Sequence, residues 1–435
     1  LTARPILLSL IFLIGLHINA QEGLHTTVTV HTERASPGYV LFSPMQSQNA
    51  YLIDNEGRLV NQWHSPYRML AVYLRENGNL VTSVIRRTPH FEAGTTGRIE
   101  EYDWDGRLVY SLDFGTDDFY AHHDFAILPN GNLLLSVWER ISFDELIALG
   151  MKPENLPQDD DVTHLLYDYL VEINPLTQAV MWEWHVRDYF IQDMDPALPN
   201  FAFPAARPDR ININILRRPE QIDRTHFNAV DYNAELDQIL VSVHAYSEVW
   251  IIDRRTGDLV YRWGNPQVYE RGIAENRQLH RQHDAHWLEN GNILIFNNGS
   301  PNRRPFSSVI EIVPPLEPNG HYRLFGDSAY EPLAPVWEYR AEAETEFFAR
   351  NLSGAQRLPN GHTLITDGPS GRLFEVTAEG DVVWEFWNPL LLSTENNRRA
   401  SIFKARRYLP DYPAFTDRDL QAGEVLPLHR VGQDR

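Results

Sequence analysis

The chain has no cysteine among its 435 residues. That absence removes disulfides, a thiolate nucleophile, a zinc–thiolate site and a lipoprotein anchor at once, so the fold must hold by packing alone. Positive charge is also scarce. Lys and Arg number 38 against 59 Asp and Glu, a net charge of −21. A surface of that sign repels nucleic acid and anionic membranes, and neither is an expected partner. Any anionic ligand must be held by local cations against the field of the whole protein. No Gly-rich phosphate loop, Ser-containing nucleophile elbow or His-Glu zinc helix is present, and no cofactor or metal is expected. Long apolar runs are missing after the first residues. "LTARPILLSLIFLIGLHINA" (1–20) carries Arg4, an apolar stretch from Ile6 to Leu16 and a small Ala20. It reads as a secretory signal, too short for a membrane span. The expected location is periplasmic or secreted.

What is present is a core and a repeat. Hydrophobic residues make up 43% and aromatics 11%, enough for one large all-β architecture or two average domains. A turn phrase recurs as "RENGNLVTSV" (75–84), "LPNGNLLLSV" (128–137), "LENGNILIF" (288–296) and "LPNGHTLIT" (358–366), with a longer-turned variant, "DYNAELDQILVSV" (231–243). Each has an apolar strand on both sides of the turn, the pattern of a hairpin. A second hairpin phrase alternates with it: "YLIDNEGRLVNQW" (51–63), "EYDWDGRLVYSLDF" (101–114), "VEINPLTQAVMWEW" (171–184), "WIIDRRTGDLVYRWG" (250–264) and "FEVTAEGDVVWEFW" (374–387), with 309–339 as a stretched copy. Two hairpins per unit give a repeated four-stranded sheet, which predicts an all-β, six-bladed β-propeller over about 36–390. Seven blades is the runner-up count, because the insertion-rich stretch 139–225 can hide irregular strands. "PGYVLFSP" (37–44) reads as a degenerate first inner strand, and the tail 391–435 as a segment packed over the outside. Trp63, Trp184, Trp263 and Trp384 in the second phrase read as inter-blade packing.

Aligned on the turn Asn, the residue seven positions earlier is His123, His226, His283, Ser353 or Leu70. With 17 His in 435 residues, a given position is His about once in twenty-five. Three of five is therefore a signal. The innermost strand of each blade lines the central channel, so equivalent positions form a ring around the axis. Eight residues past the turn Asn come Ile85, Trp138 and Asn298, and the long-turned repeat matches at His244. Trp138, Asn298, His122 and Arg357 are the candidates for substrate contacts, with Arg86, Arg87, Arg303 and Arg304 as further nearby cations. His122 and His286 stand between a structural and a functional role. Asp124 and Asp284 each follow a ring His. They can orient an imidazole by accepting its N–H, or bridge neighbouring blades.

"HHDFAILPNGNLLLSV", "HFNAVDYNAELDQILVSV", "QHDAHWLENGNILIFNNGS" and "SGAQRLPNGHTLITDG" together resemble the bacterial aryl-sulfate sulfotransferase family, over about 38–389. The resemblance implies a six-bladed propeller that moves a sulfuryl group from a phenolic sulfate ester to a phenol without a nucleotide sulfate donor. It makes His283 the transiently sulfated nucleophile, with His123 (or His122) and His226 as helpers and His244 where that family carries an Arg. From the residues themselves, Asp284 or a backbone carbonyl is expected to fix the His283 tautomer. Arg holds a fixed charge and a planar fork for oxyanions, whereas His must be protonated to substitute for it. The implied partners are an aryl sulfate donor and a phenolic acceptor. Two other classes fit a ring of imidazoles: a His-ligated metalloenzyme with oxygenase or lyase chemistry, and a non-catalytic binding propeller.

Overall fold

The computed structural model describes residues 27–88, 91, 94–215, 219–393, 398–426 and 429–430. The apolar segment 1–20 lies outside them. No helix among the described residues is long and apolar enough to cross a membrane.

Each recurring turn forms by the same local chemistry. Gly78, Gly131, Gly291 and Gly361 sit at φ 82–88°, a left-handed conformation that side-chain-bearing residues resist. The Asn before each Gly accepts the backbone N–H two residues on from itself, at 2.9–3.1 Å. The strands thus joined assemble into six four-stranded blades. In chain order the second blade is Arg68–Leu74, Leu80–Ile85, Gly97–Tyr102 and Leu108–Asp113, and the third is Phe119–Ile127, Leu133–Ser142, His164–Ile173 and Val180–His185. The fourth runs Phe227–Asn233, Gln238–Val243, Glu248–Asp253 and Leu259–Trp263. The fifth runs His283–Trp287, Ile293–Asn297, Ser308–Ile312 and Trp337–Tyr339, and the sixth Gly354–Arg357, Thr363–Asp367, Arg372–Val376 and Val382–Trp387. The first strand of each lies against the first strand of the next in an unbroken circle around the axis.

The first blade closes that circle in a way the sequence reading did not anticipate. Its inner strand is Ile402–Tyr408, paired antiparallel to Tyr39–Pro44, with Asn49–Ile53 and Leu59–His64 outside. Residues 37–44 are therefore the second strand, and part of the tail expected on the outside lines the channel. At the other end, Val28–His31 adds a fifth strand to the edge of the sixth blade. The strands Val28–His31 and Ile402–Tyr408 thus help to tie the first and last blades together. Such closure leaves few exposed edges.

The cores lie between blades, and the tryptophans mark them. Trp63, Trp184, Trp263 and Trp384 are at most 3% exposed. Each donates its indole N–H to a backbone carbonyl of the next blade: Asp103, Gly257, Pro332 and Asn55 respectively, at 2.8–2.9 Å. A large apolar body with one satisfied polar tip suits a joint between sheets. The stretch 139–225 contributes two long strands of the third blade, a short helix Phe143–Ala148 capped by Ser142, and a two-stranded piece pairing Phe190–Ile191 with Ile211–Asn212.

Candidate functional site

The inner strands do not run straight past the axis. The antiparallel register slips in the second, third, fourth and fifth blades, between Met69 and Val72, near Leu135/Val137, between Phe227 and Ala229, and between His283 and His286. Bulges of this kind bend a strand and re-aim a side chain. Left-handed backbone accompanies them: φ is 51° at His123, 57° at His226, 51° at Asp284 and 84° at Ser353. Non-glycine residues hold that conformation only where the surroundings over-determine it, and such strain concentrates at functional sites.

The result is a file of imidazoles. Ring centroids are 4.5 Å apart for His123–His226, 4.9 Å for His226–His244 and 5.3 Å for His244–His283. Four side chains from three blades, far apart in sequence, converge as the repeat register predicts. His123 and His283 are 7% and 4% exposed. Burial, then the neighbouring His226, His122, His283 and His244, holds His123 well below the ordinary imidazole range. Burial lowers His283 as well, to about 4, with His226 acting in the same direction.

Each catalytic candidate has a partner that sets its protons. Asn298 donates its amide N–H to the carbonyls of Ala349 and Leu352, at 2.9 and 3.0 Å, so its oxygen faces His283 Nδ1 at 2.8 Å. An amide oxygen only accepts, so Nδ1 carries the proton and Nε2 the lone pair. Asn298 thus holds the tautomer of His283, and is 0% exposed rather than a substrate contact. His122 also turns away from the channel. Its Nδ1 lies 2.8 Å from His123 Nδ1, and its Nε2 lies 2.6 Å from Asp168 Oδ1. Trp138 is stacked on His122 at 3.9 Å and 6°, so it braces the imidazoles from behind. His226 donates Nδ1–H to Asp223. Arg357 is bound to Glu311 at 2.7 Å and lies over Trp337, which engages its charge at an inter-blade joint. Arg304 bonds Glu338 and Ser308, and Arg86 pairs with Asp113.

Asp124 and Asp284 bridge blades; neither accepts from its neighbouring ring His. Lys404 lies 2.6 Å from Asp124 and 3.2 Å from Asp284. Arg406 grips Asp284 with both terminal nitrogens, at 2.7 and 3.0 Å. Tyr73 donates to Asp124 at 2.7 Å, and the Ala355 N–H to Asp284 at 3.0 Å. Burial alone would raise the Asp284 pKa, but Arg406 and Lys404 hold it well below the usual carboxylate range. Gly354 is fixed by this contact, since a Cβ there would come within 2.3 Å of an Asp284 oxygen. One residue past the imidazoles, five blades are therefore laced across the axis. His286 lies beyond that layer, its Nδ1 on the Asp284 carbonyl, facing a cavity of about 730 Å³ that it shares with Asp231, Trp287 and Tyr408. A smaller cavity, about 350 Å³, opens beside His244 on the imidazole side and carries Arg277, Arg281 and Arg303. Among the described residues, no group of three or more His, Asp or Glu is arranged to hold a metal ion.

Sequence reasoning missed Asp168 and Asp223. Asp223 was findable, three residues before a ring His in "DRTH". Asp168 lies in the insertion-rich stretch, on the third strand of its blade, where the offset from the Asn-Gly turns does not reach.

A β-propeller with a file of buried and half-buried histidines at its axis is the class that fold and site define. A sequence model of the arylsulfotransferase (ASST) family matches residues 25–383, and the chain belongs to that family. Membership supports an aryl sulfotransferase-like function, a transferase acting on small aryl substrates. No curated protein sequence matches the chain. Among solved structures, a protein of unknown function from Bacteroides caccae is similar at 14% identity and a TM-score of 0.49, covering 86% of this chain and 99% of that one. A streptogramin B lyase is similar at 11% identity and a TM-score of 0.42, covering 88% and 93%. Virginiamycin B lyase from Staphylococcus aureus is similar at 9% identity and a TM-score of 0.39, covering 83% and 84%.

Proposed function

We propose that the chain moves a sulfuryl group from a phenolic sulfate ester to a second phenol through a sulfated His283, without a nucleotide sulfate donor. The observation that carries this reading is the His283 tautomer. Asn298 leaves the Nε2 lone pair on a buried, neutral imidazole among other imidazoles, the form in which His is a nucleophile. In the first half-reaction Nε2 bonds to sulfur and the sulfur–aryl oxygen bond breaks. Its electron pair stays on the departing oxygen, which takes the Nε2 proton of His123. The His122–His123 pair enters the step carrying one added proton, and His122 returns its Nδ1 proton to His123 Nδ1 as Nε2–H is lost. In the second half-reaction an acceptor phenol gives that proton back and its oxygen displaces Nε2 from sulfur.

The hydrogen bonds behind His123 suit it to both steps. A proton taken at His123 Nε2 can be matched by passing the Nδ1 proton to His122, which leaves the positive charge beside Asp168. His123 then presents N–H or lone pair without keeping a charge its own site disfavours. His226 donates Nδ1–H to Asp223, which leaves Nε2 facing the file, and with His244 it stands next to receive the sulfuryl oxygens.

The test is incubation of purified protein with a chromogenic aryl sulfate, with and without a phenol. A burst of phenol release and a peptide sulfated at His283 support the reading, and their absence across a panel of aryl sulfates rejects it. pH adds a prediction. The pre-steady-state burst rate should fall as pH drops through about 4, where His283 protonates and loses its lone pair. Because the folded pKa lies below the unfolded imidazole value of about 6.5, protons bind the unfolded chain better between those values. Stability linked to His283 is therefore complete above about 6.5 and lost as pH falls toward 4. The same burst measured for His244→Arg tests the oxyanion role. Arg keeps its charge at every working pH, so transfer should be retained or raised and its decline at alkaline pH flattened.

A further inference from the structure

Most of the arginines that line the body of this propeller are neutralised by carboxylates: Arg254 by Glu172, Arg262 by Glu248, Arg372 by Glu385, Arg406 by Asp284. The mouth beside His244 breaks that pattern. Its cavity of about 350 Å³ is lined by Gln221, His244, Ala245, Ser247, Arg277, Arg281, Ser300 and Arg303, with no acidic residue among them. Arg281 and Arg303 are exposed and form no ion pair with a described carboxylate. In a chain of net charge −21, two guanidiniums without acidic partners at one opening stand out against the surrounding field.

The backbone presents them deliberately. Arg281 is held at φ 57°, two residues before His283, with its N–H on Ser247 Oγ at 3.2 Å. That conformation costs an L-residue strain and turns its side chain out of the direction the strand would give it. Arg303 sits in a tight turn whose N–H bonds the Ser300 carbonyl at 3.2 Å. His280, between the two segments, feels the cations: burial first, then Arg277, Arg304 and Arg303, lowers it to about 4.

We infer that this mouth is an anion subsite, and that the aryl group of the substrate carries a second negative substituent, such as a carboxylate, which Arg281 and Arg303 hold while the sulfuryl group is at the imidazoles. The inference rests on the sulfuryl-transfer reading and narrows it to dianionic aryl sulfates and anionic phenols. A planar guanidinium fork matches a carboxylate or sulfonate. In a transfer through a covalent intermediate, the leaving phenol and the acceptor phenol use one mouth in turn, so the preference applies to both.

The test compares phenyl sulfate with 3-carboxyphenyl sulfate, whose meta substituent leaves the departing phenol almost unchanged in acidity. The wild-type chain should prefer the carboxylated donor in kcat/KM, and the preference should shrink as ionic strength rises. Arg281→Ala/Arg303→Ala, two exposed positions checked by an unchanged melting curve, should cost the carboxylated donor about tenfold or more, and phenyl sulfate about threefold at most. Equal losses for the two donors, or no loss for either, would overturn the subsite. If neither donor reacts with the wild-type chain, the transfer reading has failed separately. Calorimetry with 3-hydroxybenzoate and phenol then decides the subsite: tighter binding of the benzoate, lost in the double variant, keeps it, and equal binding removes it.

Discussion

His283→Ala should abolish both phenol release and the covalent sulfated intermediate, a fall of about 10⁴-fold or more in kcat. The expectation follows from proton placement. His283 has its Nδ1 proton pinned by Asn298 at 2.8 Å, so its lone pair stands at Nε2. His123 has its Nδ1 tied to His122, and His226 its Nδ1 to Asp223, arrangements that suit proton transfer and charge. Removing His283 removes the acceptor that this reading assigns to the sulfuryl group. Asn298→Ala is the informative comparison. It keeps the nucleophile but frees its tautomer, and should slow turnover about 10- to 100-fold, the scale for a residue that orients a reacting ligand. Mass spectrometry of protein quenched during the burst separates the two. A sulfated peptide still found in His283→Ala would move the covalent step to another residue and end this assignment.

Where a repeat anchors the register, the sequence was legible. The Asn-Gly turns pinned the hairpins, and one fixed offset from the turn Asn led to His123, His226 and His283. That offset works because each inner strand meets the axis at the same distance from its turn. The bulges there were invisible, since left-handed backbone at a His leaves no mark in composition. Asp284 shows the limit clearly. It follows a ring His and looks like its orienting acid, yet the bulge in the fifth blade turns it into the next layer toward Arg406. Asn298 was seen as a rim residue because its strand position was right, while its direction depended on the carbonyls of Ala349 and Leu352.

Blade closure was hidden for a different reason. "IFKARRY" (402–408) has three cations in seven residues and no Asn-Gly turn, the look of a solvated tail. Alternation was the available signal: Lys404 and Arg406 are two apart and so share one face of a strand. Nothing local said that the face was buried, because the carboxylates that make burial tolerable come from the third and fifth blades. A strand contributed by the far end of the chain carries its partners' requirements rather than its own hairpin's.

Those requirements make Lys404→Met the substitution with the largest expected effect on stability. Lys404 is 3% exposed, and its ammonium is shared by Asp124 and Asp284, which are 3% and 4% exposed. Replacing it leaves Asp124 with only the Tyr73 hydroxyl from the layer, while Asp284 keeps Arg406. A buried carboxylate stripped of its cation costs about 3–5 kcal/mol, a large part of the roughly 5–15 kcal/mol that holds a folded domain together. Urea unfolding followed by tryptophan fluorescence should show the midpoint fall accordingly. Adding Asp124→Asn to Lys404→Met removes the orphaned charge, so the double variant should be more stable than the single one. That recovery distinguishes an uncompensated charge from a lost methylene stem, which the Met side chain replaces. A single variant within about 0.5 kcal/mol of wild type, or a double variant no better than the single, would mean that the layer is not what ties the C-terminal strand into the first blade. The remaining ties would then be the strand ladder to Tyr39–Pro44 and the Phe403 side chain buried toward the second and third blades.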